Sequence, residues 1–514
     1  MTTLAPVGAG RRPEAGTPPA DVQPHEVERS LKRGAFWALG SQVATQAIRI
    51  AGVVALARLL TPNAYGAAAL AVTLASFSTI VGDLGYGTAL VQASEASQRR
   101  ASTACWAAIG AGVIGSTFVA LGALPAAWIL NEPEVAGLLM AGGLTLFLVA
   151  LGSASNALLT RSMSFGVIQG ATVAAWAVAT ACSIPAAALG AGAWALVLQQ
   201  LLIAGVTSPV FIFAARWRPS LEFSREDFRS LTRFALPLTG GSVFFLLQGL
   251  VTGLLVGGLV GIDELGVWNL SMSLVVLPLS LLALPLARVI YAAFARMRDT
   301  KERMAEVWLS GFTLLAAAVL PVLFGLIAVA PDFIPLVFGS QWGAAVPVVQ
   351  ILSVLVMSRT LQTWNNSVMD AAGKPQVAMY MNAAVLIALP PCLWLGSGFG
   401  IEGAAVAWSF ASLVCGEIPS FLLTTRELSL KRLRVLARLR GIVLASGALC
   451  IVAILARSAL EHWGVEAELR LLVSVAVGAA TYIACLTVFA RPVALQLLDV
   501  VRGVWGKLSA AIAR

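Results

Sequence analysis

Three arginines of this 514-residue chain lie inside apolar segments, where an unpaired charge costs several kcal/mol and is a functional-site candidate by default. Arg49 is the strongest of them. It follows Gly34 by 15 residues, which puts it roughly 22 Å into its segment at 1.5 Å per residue. Gln42 and Gln46, at i−7 and i−3, extend it into one polar stripe of a kind that suits a water-filled cavity. The competing reading is an arginine that snorkels to the outer interface. Arg359 carries Gln362 and Asn366 at i+3 and i+7, with Asn365 nearby, and fits either a cavity wall or a buried interhelical polar network. Arg288 lies near the cytoplasmic end of its segment, where snorkelling competes with a substrate-facing role. Asp83, Asp370 and Glu417 sit toward cytoplasmic segment ends and are candidates for cation coupling, against helix capping or pairing with arginine. Asp83 belongs to Gly82-Asp83-Leu84-Gly85-Tyr86-Gly87, a spacing that suggests a flexible helix end rather than a nucleotide loop.

Buried arginines with few buried acids point to an anionic solute. A guanidinium binds phosphate bidentately and keeps its charge in poorly hydrated surroundings. The sequence offers no catalytic alternative, so no enzyme is expected. Outer loops stay within roughly 15 residues, and no Ser-His-Asp, Cys-His or phosphate-loop motif stands in a suitable context. Six cysteines lie in apolar stretches without a CxxC, and His25 and His462 are far apart, so neither metal nor cofactor is expected.

The elements that must position these residues are membrane helices. Apolar residues make up 59% of the chain and charged residues 11%, with a mean hydropathy of +0.87. Fourteen apolar segments can be drawn: 34–57, 64–88, 103–128, 136–160, 166–188, 192–215, 236–260, 266–292, 306–330, 344–370, 376–396, 401–424, 441–460 and 470–490. Of 34 Lys and Arg residues, 28 fall in alternate gaps and only Arg58, Arg457 and Arg470 fall on the other side. That asymmetry predicts cytoplasmic termini and explains the net charge of +9 without nucleic acid. The excess is matched instead by anionic inner-leaflet lipids.

A repeat lies beneath the segments. Leu31-Lys32-Arg33 returns as Leu231-Thr232-Arg233, and Leu60-Thr61-Pro62-Asn63-Ala64-Tyr65-Gly66 returns as Val260-Gly261-Ile262-Asp263-Glu264-Leu265-Gly266. The offset of 200 residues spans six segments, an even number, so the two lobes are parallel about an axis along the membrane normal. The expected fold is all-α and polytopic: a disordered tail over 1–30, six-helix lobes over 31–218 and 219–426, a basic link with an extra hairpin over 427–492, and an amphipathic tail over 493–514. Ser224 and Asp227 have capping-box-like spacing, which predicts a short interfacial helix turning Phe228 and Leu231 to lipid. Two parallel lobes with arginines inside suggest alternating access for an anionic, phosphate-bearing solute or lipid.

The chain resembles the Wzx-type polysaccharide flippases, in the polysaccharide-transporter branch of the multidrug/oligosaccharidyl-lipid/polysaccharide (MOP) exporter superfamily. The likeness rests on Ala57-Arg58-Leu59-Leu60-Thr61-Pro62-Asn63-Ala64-Tyr65-Gly66, on the stretch from Asp83 to Gln92, on Arg233-Phe234-Ala235-Leu236-Pro237-Leu238, and on Pro285-Leu286-Ala287-Arg288-Val289, and covers about residues 31–426. It implies a V-shaped pair of six-helix lobes in a bacterial inner membrane, with a central cavity lined largely by segments 1, 2, 7 and 8. It also implies an undecaprenyl-diphosphate-linked oligosaccharide as substrate, with Arg49 contacting diphosphate or acidic sugars and Arg288 guarding the inner entrance. A monomer suffices for the pathway, and a polysaccharide polymerase is a candidate partner. Lipid II flipping and cation-coupled multidrug antiport are the alternatives; the buried arginines argue against the second.

Overall fold

The computed structural model describes residues 24–83, 85–92, 97–278, 301–372, 374 and 376–497. Arg288 and residues 1–23 and 498–514 lie outside these, as do the side chains of Asp83, Gln362 and Asp370. The described residues form helices and no strand. The first lobe comprises α1 (Pro24–Leu59), α2 (Pro62–Asp83), a short α3 (Tyr86–Gln92), α4 (Gln98–Leu130), α5 (Glu134–Arg161), α6 (Phe165–Ala188) and α7 (Trp194–Ala215). The second comprises α8 (Arg225–Leu259), α9 (Ile262–Pro278), α10 (Lys301–Phe338), α11 (Ala345–Ala371), α12 (Gln376–Ser397) and α13 (Gly400–Ser412). A π-helical turn, Leu413–Glu417, carries α13 into α14 (Ile418–Glu427), and α15 (Arg432–His462) and α16 (Ala467–Phe489) form the final hairpin. Among the described residues, nine helical stretches are long and apolar enough to cross a membrane.

Local chemistry sets the boundaries. Ser97 caps α4 by accepting from Arg100 N at 3.3 Å, and Ser224 caps α8 by accepting from Asp227 N at 3.2 Å. Thr61 accepts from Ala64 N at 3.3 Å with Pro62 opening α2, where a missing amide hydrogen costs nothing.

The packing order repeats across the lobes. In the first, α1 packs on α6, α2 and α4 on α5, and α5 and α6 on α7. In the second, α8 packs on α12, α9 and α10 on α11, and α11 and α12 on α13. Each pair has its counterpart six segments later, as the 200-residue offset predicts. The repeats meet at Gly66 and Gly266. A Cβ on Gly66 would stand 1.9 Å from Ile262 O, and one on Gly266 would stand 1.9 Å from Pro62 O. The starts of α2 and α9 therefore touch backbone to backbone, at the end of the bundle away from the basic loops.

The linker departs from expectation. Arg225–Leu259 is one continuous helix, and Phe228 and Leu231 turn to protein rather than lipid. Leu231 is 1% exposed in a cluster with Tyr86, Ala89, Ala104 and Ala235, and Phe228 stacks on Tyr86 with centroids 6.3 Å apart. The preceding residues are strapped to α4. Trp217 Nε1 donates to Gln98 Oε1 at 2.6 Å, Trp106 Nε1 to Ser220 O at 2.8 Å, and Ser224 N to Thr103 Oγ1 at 3.1 Å. Held there, the apolar residues of α8 reach a protein surface before they reach headgroups.

The hairpin is pinned to α10. Arg470 donates from Nε to Asp332 Oδ2 at 2.9 Å and from a terminal nitrogen to Oδ1, and Tyr482 donates to Ala317 O at 2.6 Å. The Asp332 side chain is 4% exposed, so truncating one partner strands a charge away from water, at a cost of about 3–5 kcal/mol. Asp332→Ala is therefore expected to lower the thermal unfolding midpoint in detergent by several degrees, with Asp332→Ala/Arg470→Leu recovering part of the loss. An unchanged midpoint in the single variant removes the clamp.

Candidate functional site

A cavity of about 970 Å³ opens in the first lobe between α1, α2, α3, α5, α6 and α7, with Asn269 and Ser273 of α9 completing its wall. Its volume is that of a site able to bury a ligand of drug size. Arg49 lines it and is the sole Lys, Arg, Asp or Glu among its described lining residues. The guanidinium lies 5.1 Å from the ring centroid of Trp176 on α6, a cation–π contact that holds the group against the wall. One turn on, Gly52 packs closely on α6 and α7. A Cβ there would come within 3.2 Å of the Thr180 methyl group and 3.4 Å of Gln199 Nε2. The remaining polar lining of the cavity is uncharged and includes Asn156 on α5, Thr172 on α6, and Gln199 and Gln200 on α7.

Gln42 and Gln46 do not line this cavity. Gln42 is exposed, whereas Gln46 is 6% exposed and its Oε1 accepts no hydrogen bond from the described protein atoms. The residues that complete the wall were absent from the sequence-derived set, although a signal existed. Ser153, Asn156 and Thr160 recur at helical spacing within a predicted span, as do Gln200 and Thr207.

The glycine-rich segment after α2 is a packed helix break. Gly85 has φ +72°, and a Cβ there would lie 2.9 Å from Ala235 Cα, so both conformation and space call for glycine. The chain restarts as α3, which has two working faces. Gly87, Thr88 and Val91 line the cavity, while Tyr86 and Ala89 pack on α8, with the Tyr86 hydroxyl 3.1 Å from Thr232 Oγ1. One short helix is thus at once a cavity wall and an interlobe contact.

Arg359 is in the other lobe. Its guanidinium lies 4.7 Å from the ring of Phe245 on α8 and 5.2 Å from that of Trp408 on α13, and Trp408 meets Trp268 edge-on at 5.8 Å. Glu417, 7% exposed at the end of the π-helical turn, attracts it electrostatically. The guanidinium thus stands between two aromatic rings in the field of a buried acid. π-turns inside helices are often found at functional sites, which draws notice to Glu417. Asp83 ends α2 and Asp370 lies in the last turn of α11.

Known proteins agree with this architecture. A match to a family described as "Polysaccharide biosynthesis protein" spans residues 55–347. The chain is 25% identical over 463 residues to the teichuronic acid biosynthesis protein TuaB of Bacillus subtilis (strain 168), covering 89% of this chain and 95% of that one. It is 24% identical over 483 residues to the succinoglycan biosynthesis transport protein ExoT of Rhizobium meliloti (strain 1021), covering 92% and 96%. Its fold is similar to that of the lipid II flippase MurJ in an inward closed conformation, with a TM-score of 0.68 at 14% identity over 88% of this chain and 99% of that one. With more than half of its length inside the family match, the chain belongs to the polysaccharide biosynthesis protein family.

Proposed function

We propose that this protein is a flippase that carries an undecaprenyl-diphosphate-linked oligosaccharide, a repeat unit of lipopolysaccharide, capsule or exopolysaccharide, from the cytoplasmic to the outer leaflet by alternating access. The observation that carries the reading is one guanidinium set among amides and hydroxyls in a lobe cavity. Arg49 supplies a charge-assisted partner for the diphosphate, and the neutral lining suits sugar hydroxyls. On this reading fourteen spans cross the inner membrane, both termini are cytoplasmic, and the lobes comprise residues 31–218 and 219–426. Arg288 guards the inner entrance. Gln42 and Gln46 mark the path from that entrance to Arg49, and Arg359 keeps the second lobe's polar centre in register. Asp83, Asp370 and Glu417 are the coupling candidates, with Glu417 favoured by its burial and its π-turn. The protein moves its substrate without chemical change, works as a monomer among anionic lipids, and hands the product to a polysaccharide polymerase.

Reconstituted into liposomes, the protein is expected to move a fluorescent undecaprenyl-diphosphate oligosaccharide between leaflets, with lipid II a poor competitor. An imposed proton or sodium gradient should accelerate the wild type but not Glu417→Gln. Preferential transport of lipid II would replace the substrate assignment, and a gradient response that survives Glu417→Gln would move coupling elsewhere.

A further inference from the structure

At the end of the bundle away from the basic loops, the lobes exchange helix caps. Arg58, in the last turn of α1, donates from Nε to Val337 O at 2.8 Å and from a terminal nitrogen to Leu336 O at 2.6 Å. Those carbonyls belong to the last turn of α10, where helix oxygens have no intrahelical donor and the dipole favours a cation. The favour is returned from just beyond α10. Gln341 Nε2 donates to Ala57 O at 3.0 Å and to Leu60 O at 3.3 Å, and Trp342 Nε1 donates to Ala57 O at 2.8 Å, all around the end of α1. Tyr65 then meets Trp342 edge-on with centroids 5.3 Å apart, while its other side lines the cavity. The Gly66–Gly266 backbone contact is made by the very next residue of α2.

This arrangement also accounts for an exception in the charge pattern. Of the three basic residues at this end, Arg470 of the hairpin pairs with Asp332 of α10 and Arg457 with Glu461 one turn along its own helix, and neither pair involves the first lobe. Arg58 reaches across the lobes instead.

We propose that Arg58, with Gln341 and Trp342 answering it, is a reciprocal latch that holds the roof of the cavity shut. The cavity cannot open at this end while both helix ends are capped from the opposite lobe, so the latch sets how often the roof opens and thereby gates release of the solute. The inference rests on alternating access as proposed above, but its test needs no substrate. In a variant of the full chain with its six cysteines replaced, Ala69→Cys places a reporter on the cavity wall one turn beyond Tyr65. A membrane-impermeant maleimide is applied from the face opposite the basic loops. Arg58→Ala is expected to raise the labelling rate about tenfold, the leverage of one charge-assisted hydrogen bond on a two-state equilibrium. Gln341→Ala, which leaves the arginine in place, should shift the rate in the same direction, and Arg58→Lys should fall between wild type and Arg58→Ala. Unchanged labelling in monodisperse Arg58→Ala overturns the latch. If Arg58→Ala does not fold, unchanged labelling in Gln341→Ala overturns it equally. A negative flipping assay beside positive labelling shifts would reject the substrate reading and leave the latch standing.

Discussion

Arg49→Ala is expected to abolish complementation in a strain that lacks its own polysaccharide flippase, with the variant present at the wild-type level. The two halves of this expectation have separate physical grounds. The side chain faces the cavity, and the contact that holds it is the 5.1 Å approach to Trp176, so its removal leaves no buried acid uncompensated. The fold should tolerate the loss. Substrate binding should not, because no other formal charge stands among the described lining residues. Truncating one partner of a close charged pair costs about 2–5 kcal/mol, which corresponds to roughly 30- to 5,000-fold in affinity for a diphosphate. Arg49→Lys keeps the charge but gives up the fork and much of the stacking on the indole, so intermediate transport would assign part of the effect to bidentate geometry. Wild-type complementation by Arg49→Ala would sink the assignment. Arg359→Ala makes the useful contrast. It removes the cation caged by Phe245 and Trp408 from beside buried Glu417, and should reduce protein level as well as transport.

The depth of Arg49 could be counted from Gly34, and its position on a cavity wall followed from a polar stripe in hydrocarbon. Helical spacing fixes which residues share a face but not how far the neighbouring helices extend beside it. Gln42 and Gln46 share the face with Arg49, yet the cavity begins beyond them. The neutral wall was harder to see for a related reason. Asn156, Gln199 and Gln200 look like any interhelical hydrogen-bonding residues until tertiary packing leaves them facing open space. The Arg359 cage joins residues from α8, α11 and α13, a relation that no local pattern contains. Linker residues Phe228 and Leu231 have the composition of a lipid-facing helix, and hydrogen bonds from Trp217 and Trp106 decided otherwise. The repeat was legible because it lies in loop residues, where hydrophobicity does not dictate the letters. Its two glycines proved to be each other's contact.

That contact carries the second large effect. Gly66→Ala and Gly266→Ala are each expected to lower the unfolding midpoint by several degrees, and the double variant to lose clearly less than the sum. A Cβ at either position would stand 1.9 Å from a main-chain oxygen of the opposite helix, and Cβ atoms essentially never come within 3.0 Å of another heavy atom, so the helices must part by about 1 Å. No flexible side chain can yield instead, since the obstacles are the carbonyls of Ile262 and Pro62. Overpacking of this kind costs about 1–3 kcal/mol. Small residues that let helix backbones touch are also a main source of attraction between helices in a membrane, and parting them forfeits that packing. The two clashes are related by the same pseudo-twofold axis, so one displacement relieves both. Once the first methyl group has separated α2 from α9, the second enters space already made, which predicts a favourable coupling of about 0.5–3 kcal/mol in a double-mutant cycle. Strict additivity would mean that the two glycines yield independently, and the symmetric contact would have to be abandoned. The same displacement pulls the roof of the cavity apart, so either alanine should also speed maleimide labelling of Ala69→Cys, by a route that leaves Arg58 untouched.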